Sequence, residues 1–339
     1  MRIGILGLHH DHVWHSLGEL ADLPSMEVVA AADPYPELRE KFQQHSDAPI
    51  YENYEAVLDT PDLDAVYLYT SNRNASKLAI DAMNRGLHAL VEKPMAADQA
   101  DAQAMLNAAQ SNGVRLMINW PFAWWYQLQH AIRLCREEND IGELWQVKYR
   151  AAHEGIVLMG HSKYFADWVE DKTQSGGGAL VDYCCYGAVL SRVLLGMPES
   201  VSGLWGNYYR DDLDVDDNAI ITLKYPRAMA IAEASWTQHG KLGSYTPIIY
   251  GKTGSFLVEP RLGGKLWRAD LDDSKGSVIE IPDPAPHMRG PNEHFLWAIE
   301  NPDAEMNPLC DPVHCRDSNA IMDAGIESAR GDSRLVPLQ

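Results

Sequence analysis

Four groups of residues in this 339-residue chain could do chemistry. The first is Glu92-Lys93-Pro94, which follows the apolar run Ala89-Leu90-Val91. A buried parallel strand ending there would deliver a carboxylate and an ammonium to the edge where open α/β sheets bind ligands. Pro94 fixes its own φ, biases Lys93 towards an extended backbone and permits a cis bond that aims the lysine. Taken alone, the triplet also reads as a surface turn. The second group is Asp182 and Tyr186, four apart in a stretch of helical spacing just after Gly176-Gly177-Gly178. A carboxylate and a phenol on one helix face make a proton-handling pair, or else a helix cap and a buried tyrosine. The third is the run His9, His10, Asp11, His12 and His15. Clustered imidazoles with a carboxylate suit zinc or a related ion. His9 and His10 are adjacent and diverge, however, and His12 and His15 lie less than a helical turn apart, so no metal is assigned. The fourth, His153, His161, Lys163 and Trp236, offers weaker candidates for binding hydroxyl groups and ring faces.

The elements that position these residues are legible from hydrophobic period. Residues 2–8, 26–32, 63–69, 87–91 and 114–119 are short apolar runs, and 13–23, 37–45, 75–85 and 98–111 have helical spacing between them. Such alternation predicts a doubly wound parallel sheet, a Rossmann layout. Its first turn departs from the GxGxxG fingerprint. Gly7 keeps the tight turn, but His9 and His12 stand where the second and third glycines belong. Asp33 ends the second strand, where it accepts hydrogen bonds from a ribose or caps the next helix ahead of Glu37. Pro34 follows, with no arginine to meet a 2′-phosphate, so NAD is expected over NADP. Beyond Trp120-Pro121, the expected domain junction, residues 126–138 read as a helix, 142–152 as a strand and 153–175 as irregular. A helix over 182–195 precedes extended runs over 200–281, a mainly antiparallel open sheet, and helices over 291–301 and 312–329 close the chain.

Composition narrows the function classes. The net charge of −20 with no basic block disfavours nucleic acid as a partner. Five cysteines without a CxxC pair suggest reduced thiols in the cytoplasm. The N-terminus lacks the features of a secretory signal, and no stretch is expected to span a membrane.

The strand–helix first half, Glu92-Lys93-Pro94, the Ile141-Gly142-Glu143 turn and the run from Gly176 to Asp182 together resemble the Gfo/Idh/MocA oxidoreductases over nearly the whole chain. The resemblance implies an NAD(P)-binding Rossmann domain over residues 1–121. It also implies a substrate-binding and oligomerising domain over 122–339, whose open sheet forms a homodimer or homotetramer. It implies hydride transfer to or from a sugar or polyol. Lys93 matches the family's catalytic lysine and Asp182 its aspartate. Tyr186 stands at the acid/base position, as in the branch with glucose-fructose oxidoreductase and dihydrodiol or xylose dehydrogenases. A free phenol titrates near ~10, and a neighbouring ammonium is expected to bring Tyr186 towards working pH. Thr70-Ser71-Asn72 matches the family's Thr-Pro-Asn cofactor loop with serine for proline, and Trp120 replaces a common basic residue. With Gly7, His9, His10, His12, Asp33, Glu92 and Lys93, these make the expected cofactor contacts. Two alternatives share the fold: transient oxidation by a held NAD in a sugar lyase, hydrolase or epimerase, and a non-catalytic sugar or nucleotide sensor.

Overall fold

The computed structural model describes residues 1–338. Six parallel strands build the first sheet: β1 (Arg2–Leu6), β2 (Glu27–Ala32), β3 (Ile50–Tyr51), β4 (Ala65–Leu68), β5 (His88–Glu92) and β6 (Leu116–Asn119). Their order, β3-β2-β1-β4-β5-β6, reverses beside β1, which creates the switch point where a nucleotide crevice opens. β4 is buried at all four positions, and β1 and β5 at four of five, as strands covered on both faces require. The covering helices are α1 (His12–Ala21), α2 (Pro36–Phe42), α3 (Tyr54–Leu58), α4 (Asn72–Asn84) and α5 (Gln99–Asn112). Local signals set their ends. Ser71 caps α4 by accepting from the Asn74 N–H, Asp98 caps α5 by accepting from the Asp101 N–H, and Gly113 ends α5 at φ +64°. Gly7 has φ +89°, and a Cβ there would lie 2.7 Å from the Tyr69 carbonyl oxygen, so the first turn requires glycine.

A 3₁₀ turn, Pro121–Trp124, follows β6 and leads to α6 (Tyr126–Arg133). The second sheet then contains β7 (Leu144–Ala152), β8 (Ser200–Gly206), β9 (Asn218–Lys224), β10 (Met229–Ser235), β11 (Ile248–Gly251), β12 (Ser255–Val258), β13 (Leu266–Ala269), β14 (Ser277–Ile279) and β15 (Val336–Pro337). Their order is β14-β13-β12-β11-β7-β10-β9-β8-β15, antiparallel except for β7 beside β10. Period-two alternation gives the sheet two different faces. Val147, Tyr149, Ala230, Ala232, Ile221 and Val201 point inward under α9 (Cys185–Leu195) and α11 (Pro312–Arg330). Gly187 lets α9 approach closely, since a Cβ there would meet the Ala232 Cβ at 2.4 Å. Among the described residues no layer covers the opposite face, which presents Leu204, Ile220, Ile231 and Leu257 among charged side chains.

The chain departs from the sequence expectations in three places. Residues 153–175, expected to be irregular, contain α7 (Lys163–Val169) and α8 (Lys172–Ser175), each too short to show a helical period. A π-helical turn, Leu180–Cys184, precedes α9, and such turns recur at functional sites. The helical run Lys172–Leu195 is long and apolar enough by composition to cross a membrane, against expectation. It is a core element, with 83% of its most apolar stretch buried between the layers. The C-terminal residues also return to the first sheet. Asn292, on α10 (Pro291–Glu300), accepts from the Tyr67 hydroxyl at 3.0 Å, and Arg115 donates to the Ala298 carbonyl at 2.8 Å.

His294 on α10 is fully buried. Its Nδ1 donates to the His287 carbonyl and its Nε2 accepts from the Asn307 N–H at 2.9 Å, an arrangement only the neutral ring can make. Burial pushes its pKa down to about 4. The unfolded chain binds a proton near ~6.5, so the stability contributed by neutral His294 is present above that pH and lost as pH falls towards 4. We expect His294→Gln to remove about 3 kcal/mol of this acid dependence, measured as the difference in urea unfolding between pH 7 and pH 4.

Candidate active site

Lys93 leaves β5 through a cis Lys93–Pro94 bond and is buried beneath the second domain. Its Nζ lies 2.5 Å from Asp182 Oδ1 and 3.2 Å from the Asp182 carbonyl oxygen. The other carboxylate oxygen accepts from the Trp236 indole at 3.0 Å. Asp182 comes from the π-helical turn and Trp236 from the end of β10, so one ion pair joins both sheets. Burial opposes both charges, but each partner overcompensates for the other. Lys93 is held above its ordinary pKa and Asp182 below it, and the pair stays ionised.

Tyr186 is placed beside this pair but in an unexpected way. Lys93 Nζ stands over the Tyr186 ring, 5.2 Å from its centroid, and over the Tyr183 ring at 5.3 Å. Tyr186 packs edge-on against Trp120 and Phe122 and stacks on Tyr149. Burial, with the nearby Cys185, Tyr149 and Asp182, pushes its phenol well above the ordinary range. The expectation that Lys93 brings Tyr186 towards working pH is therefore corrected. The ammonium is engaged by Asp182, and Tyr186 is held as the neutral phenol. Trp120, expected at the cofactor, is fully buried and donates to Cys315 Sγ at 3.3 Å, so it backs the Tyr186 ring.

His153 ends the same wall. Its Nδ1 accepts from the Gly155 N–H at 2.8 Å, so the ring proton sits on Nε2, and that atom is buried with no partner among the described residues. Burial brings its pKa down to about 4 against the opposing pull of Asp182. The ring stacks on Trp236 and meets Tyr183 edge-on. An unpartnered N–H beside Lys93 and Asp182 is a donor awaiting an acceptor. Lys163 does not belong here. It pairs with Asp167 one turn along α7, with most of its side chain in solvent, because Asp167 captures it locally. His161 turns to Asp11, which also accepts from the Ser162 N–H and hydroxyl.

The histidine turn after β1 is knitted into the protein. His9 Nδ1 donates to Asp33 Oδ2 at 2.9 Å, and its Nε2 accepts from the Thr70 hydroxyl at 2.7 Å. Asp33 also accepts from the Leu8 and Tyr35 N–H groups and is fully buried, so direct contact with a ribose, as expected from sequence, is corrected. Residues 161–176 roof this turn. Trp168 donates to the His9 carbonyl, Ser71 donates to Gln174, and Asn72 donates to the Ser175 carbonyl. His10 is buried against Phe165 and Trp168, and burial and then His12 hold its pKa well below the ordinary value. His12 Nδ1 bonds Glu92 Oε2 at 3.0 Å, and Glu92 Oε1 accepts from Asn119 at 2.8 Å.

A cavity of about 340 Å³ opens at this carboxyl end of β5 and β6. It is lined by His12, His15, Glu92, Asn119, Arg261 and Arg289, among others. Sequence reasoning missed Asn119, Arg261 and Arg289, whose approach depends on tertiary packing; only Asn119, at the end of a recognised strand, carried a signal. A polar cavity at the carboxyl ends of β5 and β6 of a Rossmann sheet fits a nicotinamide nucleotide in its chemistry, whereas Asp33, the group expected to meet a ribose, stands behind the His9 ring.

With that geometry, the comparisons decide the family. Residues 1–120 match the model of the oxidoreductase family with an NAD-binding Rossmann fold, and residues 129–257 match the GFO/IDH/MocA C-terminal domain. The chain belongs to the Gfo/Idh/MocA oxidoreductase family. Among its relatives, scyllo-inositol 2-dehydrogenase (NADP(+)) IolU of Bacillus subtilis is 26% identical over 84% of each chain. Levoglucosan dehydrogenase of Pseudarthrobacter phenanthrenivorans is 24% identical over 82% of this chain and 75% of its own length. The crystal structure of aldose-aldose oxidoreductase from Caulobacter crescentus superposes with a TM-score of 0.82 at 22% identity, covering 100% of this chain and 99% of that one.

The buried pair generates a stability prediction. Removing one partner leaves an uncompensated charge, so Asp182→Leu should cost about 3–5 kcal/mol. Adding Lys93→Met to it should restore most of that loss, read by urea unfolding at fixed protein concentration.

Proposed function

We propose that this protein transfers hydride between NAD(H) and a secondary alcohol or carbonyl of a sugar or polyol. The observation that carries the reading is the ionised Lys93–Asp182 pair. It stands at the carboxyl end of β5, against an aromatic wall and the free Nε2–H of His153. The bound nicotinamide supplies the hydride acceptor or donor. Lys93 stabilises negative charge developing on the reacting oxygen and exchanges its proton, and Asp182 orients the ammonium. His153 donates a hydrogen bond to a substrate oxygen. Tyr186 acts as a neutral phenol and ring wall, and Trp236 positions Asp182. NAD over NADP is supported by Arg39, which is turned away from a 2′-phosphate because it donates to the Asp33 and Pro34 carbonyls. Dehydrogenases of an inositol and an anhydrosugar among the relatives support the substrate class.

The open face with Leu204, Ile220, Ile231 and Leu257 supports a homodimer or homotetramer through the second sheet. Five unpaired cysteines support a reducing, cytoplasmic compartment. A second reading, in which a retained NAD oxidises a sugar transiently, is favoured by the roof of residues 161–176 over the first turn.

The test is cofactor binding by calorimetry, followed by NADH formation across a panel of inositols, aldoses and anhydrosugars. We expect NAD⁺ turnover, lowered about 10²–10⁴-fold by Lys93→Met. Tyr186→Phe should retain NADH binding and lose rate only if its hydroxyl touches substrate. Co-purified NAD without net turnover would favour the transient-oxidation reading, and no binding of any nicotinamide nucleotide would end both.

A further inference from the structure

The histidines that replaced the glycine fingerprint do not all do the same work. His9 ties strand ends together and His15 pairs with Glu19 on the surface of α1. His10 and His12 converge with Glu92, with one ligand atom of each residue within 4.8 Å of the others. The geometry points to a divalent transition-metal site formed by His10, His12 and Glu92 at the inner end of the β5–β6 cavity. This inference does not depend on the proposed hydride transfer.

Three features carry it. The His12 Nδ1–Glu92 Oε2 separation is 3.0 Å. That is roughly the spacing of adjacent ligands around an ion bound at about 2.1 Å. His10 lies within the same triangle, and His12 is part-exposed beside it. Second, the carboxylate is oriented from outside. Asn119 Nδ2 donates to Glu92 Oε1 at 2.8 Å, and Trp124 Nε1 donates to Asn119 Oδ1 at 3.0 Å. Chains of this kind fix metal-binding carboxylates and leave the second oxygen for the ion. Phe165 and Trp168 clamp the His10 ring in turn. Third, His12 and Glu92 both line the cavity, which gives an ion an entry path and leaves its remaining coordination positions for water or vicinal hydroxyls. Two imidazoles with one carboxylate suit zinc, iron(II), manganese or cobalt, whereas calcium and magnesium prefer all-oxygen sets.

The spacing supports the same division of labour. His10 and His12 flank Asp11, whose carboxylate is engaged by His161 and Ser162 on the roof, so the residue between the two ligands faces away from them. His10 Nδ1 also accepts from the His12 N–H at 3.4 Å, which holds the His10 ring beside His12 and Glu92.

The test uses untagged full-length protein, stripped with a chelator and titrated with Co²⁺ and then Zn²⁺. We expect one equivalent of Co²⁺ with visible d–d absorption, displaced by one equivalent of Zn²⁺. His12→Ala and Glu92→Gln should each weaken binding about 100-fold, and Asn119→Ala about tenfold. His15→Ala should leave it unchanged. His12 is part-exposed, so its variant keeps the test open if a buried His10→Asn variant fails to fold. Absence of saturable Co²⁺ binding below millimolar, or equal binding in folded His12→Ala and Glu92→Gln, would overturn the site. Because the readout is ion binding, failure of the oxidoreductase reading leaves this result interpretable.

Discussion

Lys93 and Asp182 meet across the boundary between two sheets, and each is buried with a charge it could not keep alone. Desolvating either group costs several kcal/mol on the order of the whole stability of a domain, so each domain holds the other's ion in place. The constraint reaches backwards into both halves. It requires β5 to end where it does, the π-helical turn to present Asp182 ahead of α9, and Trp236 to close the second carboxylate oxygen from β10. Replacing such a pair by apolar residues is often neutral for folding. The pair therefore fixes how the two sheets meet more than it adds to net stability.

The aromatic wall follows from the same demand. Lys93 lies over two tyrosine rings, whose negative faces stabilise an ammonium without adding a second carboxylate. Burial keeps Tyr183 and Tyr186 as neutral phenols, so the charge at this point between the sheets is set by one lysine and one aspartate. His153 adds a donor without adding charge, because its low pKa leaves the ring neutral. A site built this way is suited to charge that appears only during reaction, since its dipoles are fixed beforehand.

Much of this was legible in the sequence. Parallel strands buried on both faces announce themselves as apolar runs, and Lys93 and Asp182 both stand out as candidates. The sequence coupled Lys93 to Tyr186, however, with no sign that it would pair with Asp182. Less legible was the choice of partner. Lys163 looked like a ligand for hydroxyls, yet Asp167 four residues on satisfies it locally. Trp120 followed a cofactor-facing strand but turned inward, because Tyr186 and Cys315 offered its ring and N–H a dry site. α7 and α8 escaped because helices of seven and four residues are held by caps and tertiary contacts, and carry no measurable period.

The altered first turn is where local rule and tertiary outcome differ most. Glycine in this turn lets a phosphate approach the backbone, whereas a histidine brings a ring that must find partners of its own. His9 finds them in Asp33 and Thr70, on the strand ends either side of β1, and the roof of residues 161–176 closes over the result. The turn is thereby a cross-link between the ends of β2 and β4. His12, one helical start later, faces Glu92 at the other side and keeps its access to the cavity. With histidines where the fingerprint has glycines, the polar groups that remain reachable on the first sheet are those lining the cavity at the ends of β5 and β6, where Arg261 and Leu262 from beyond β12 supply part of the wall.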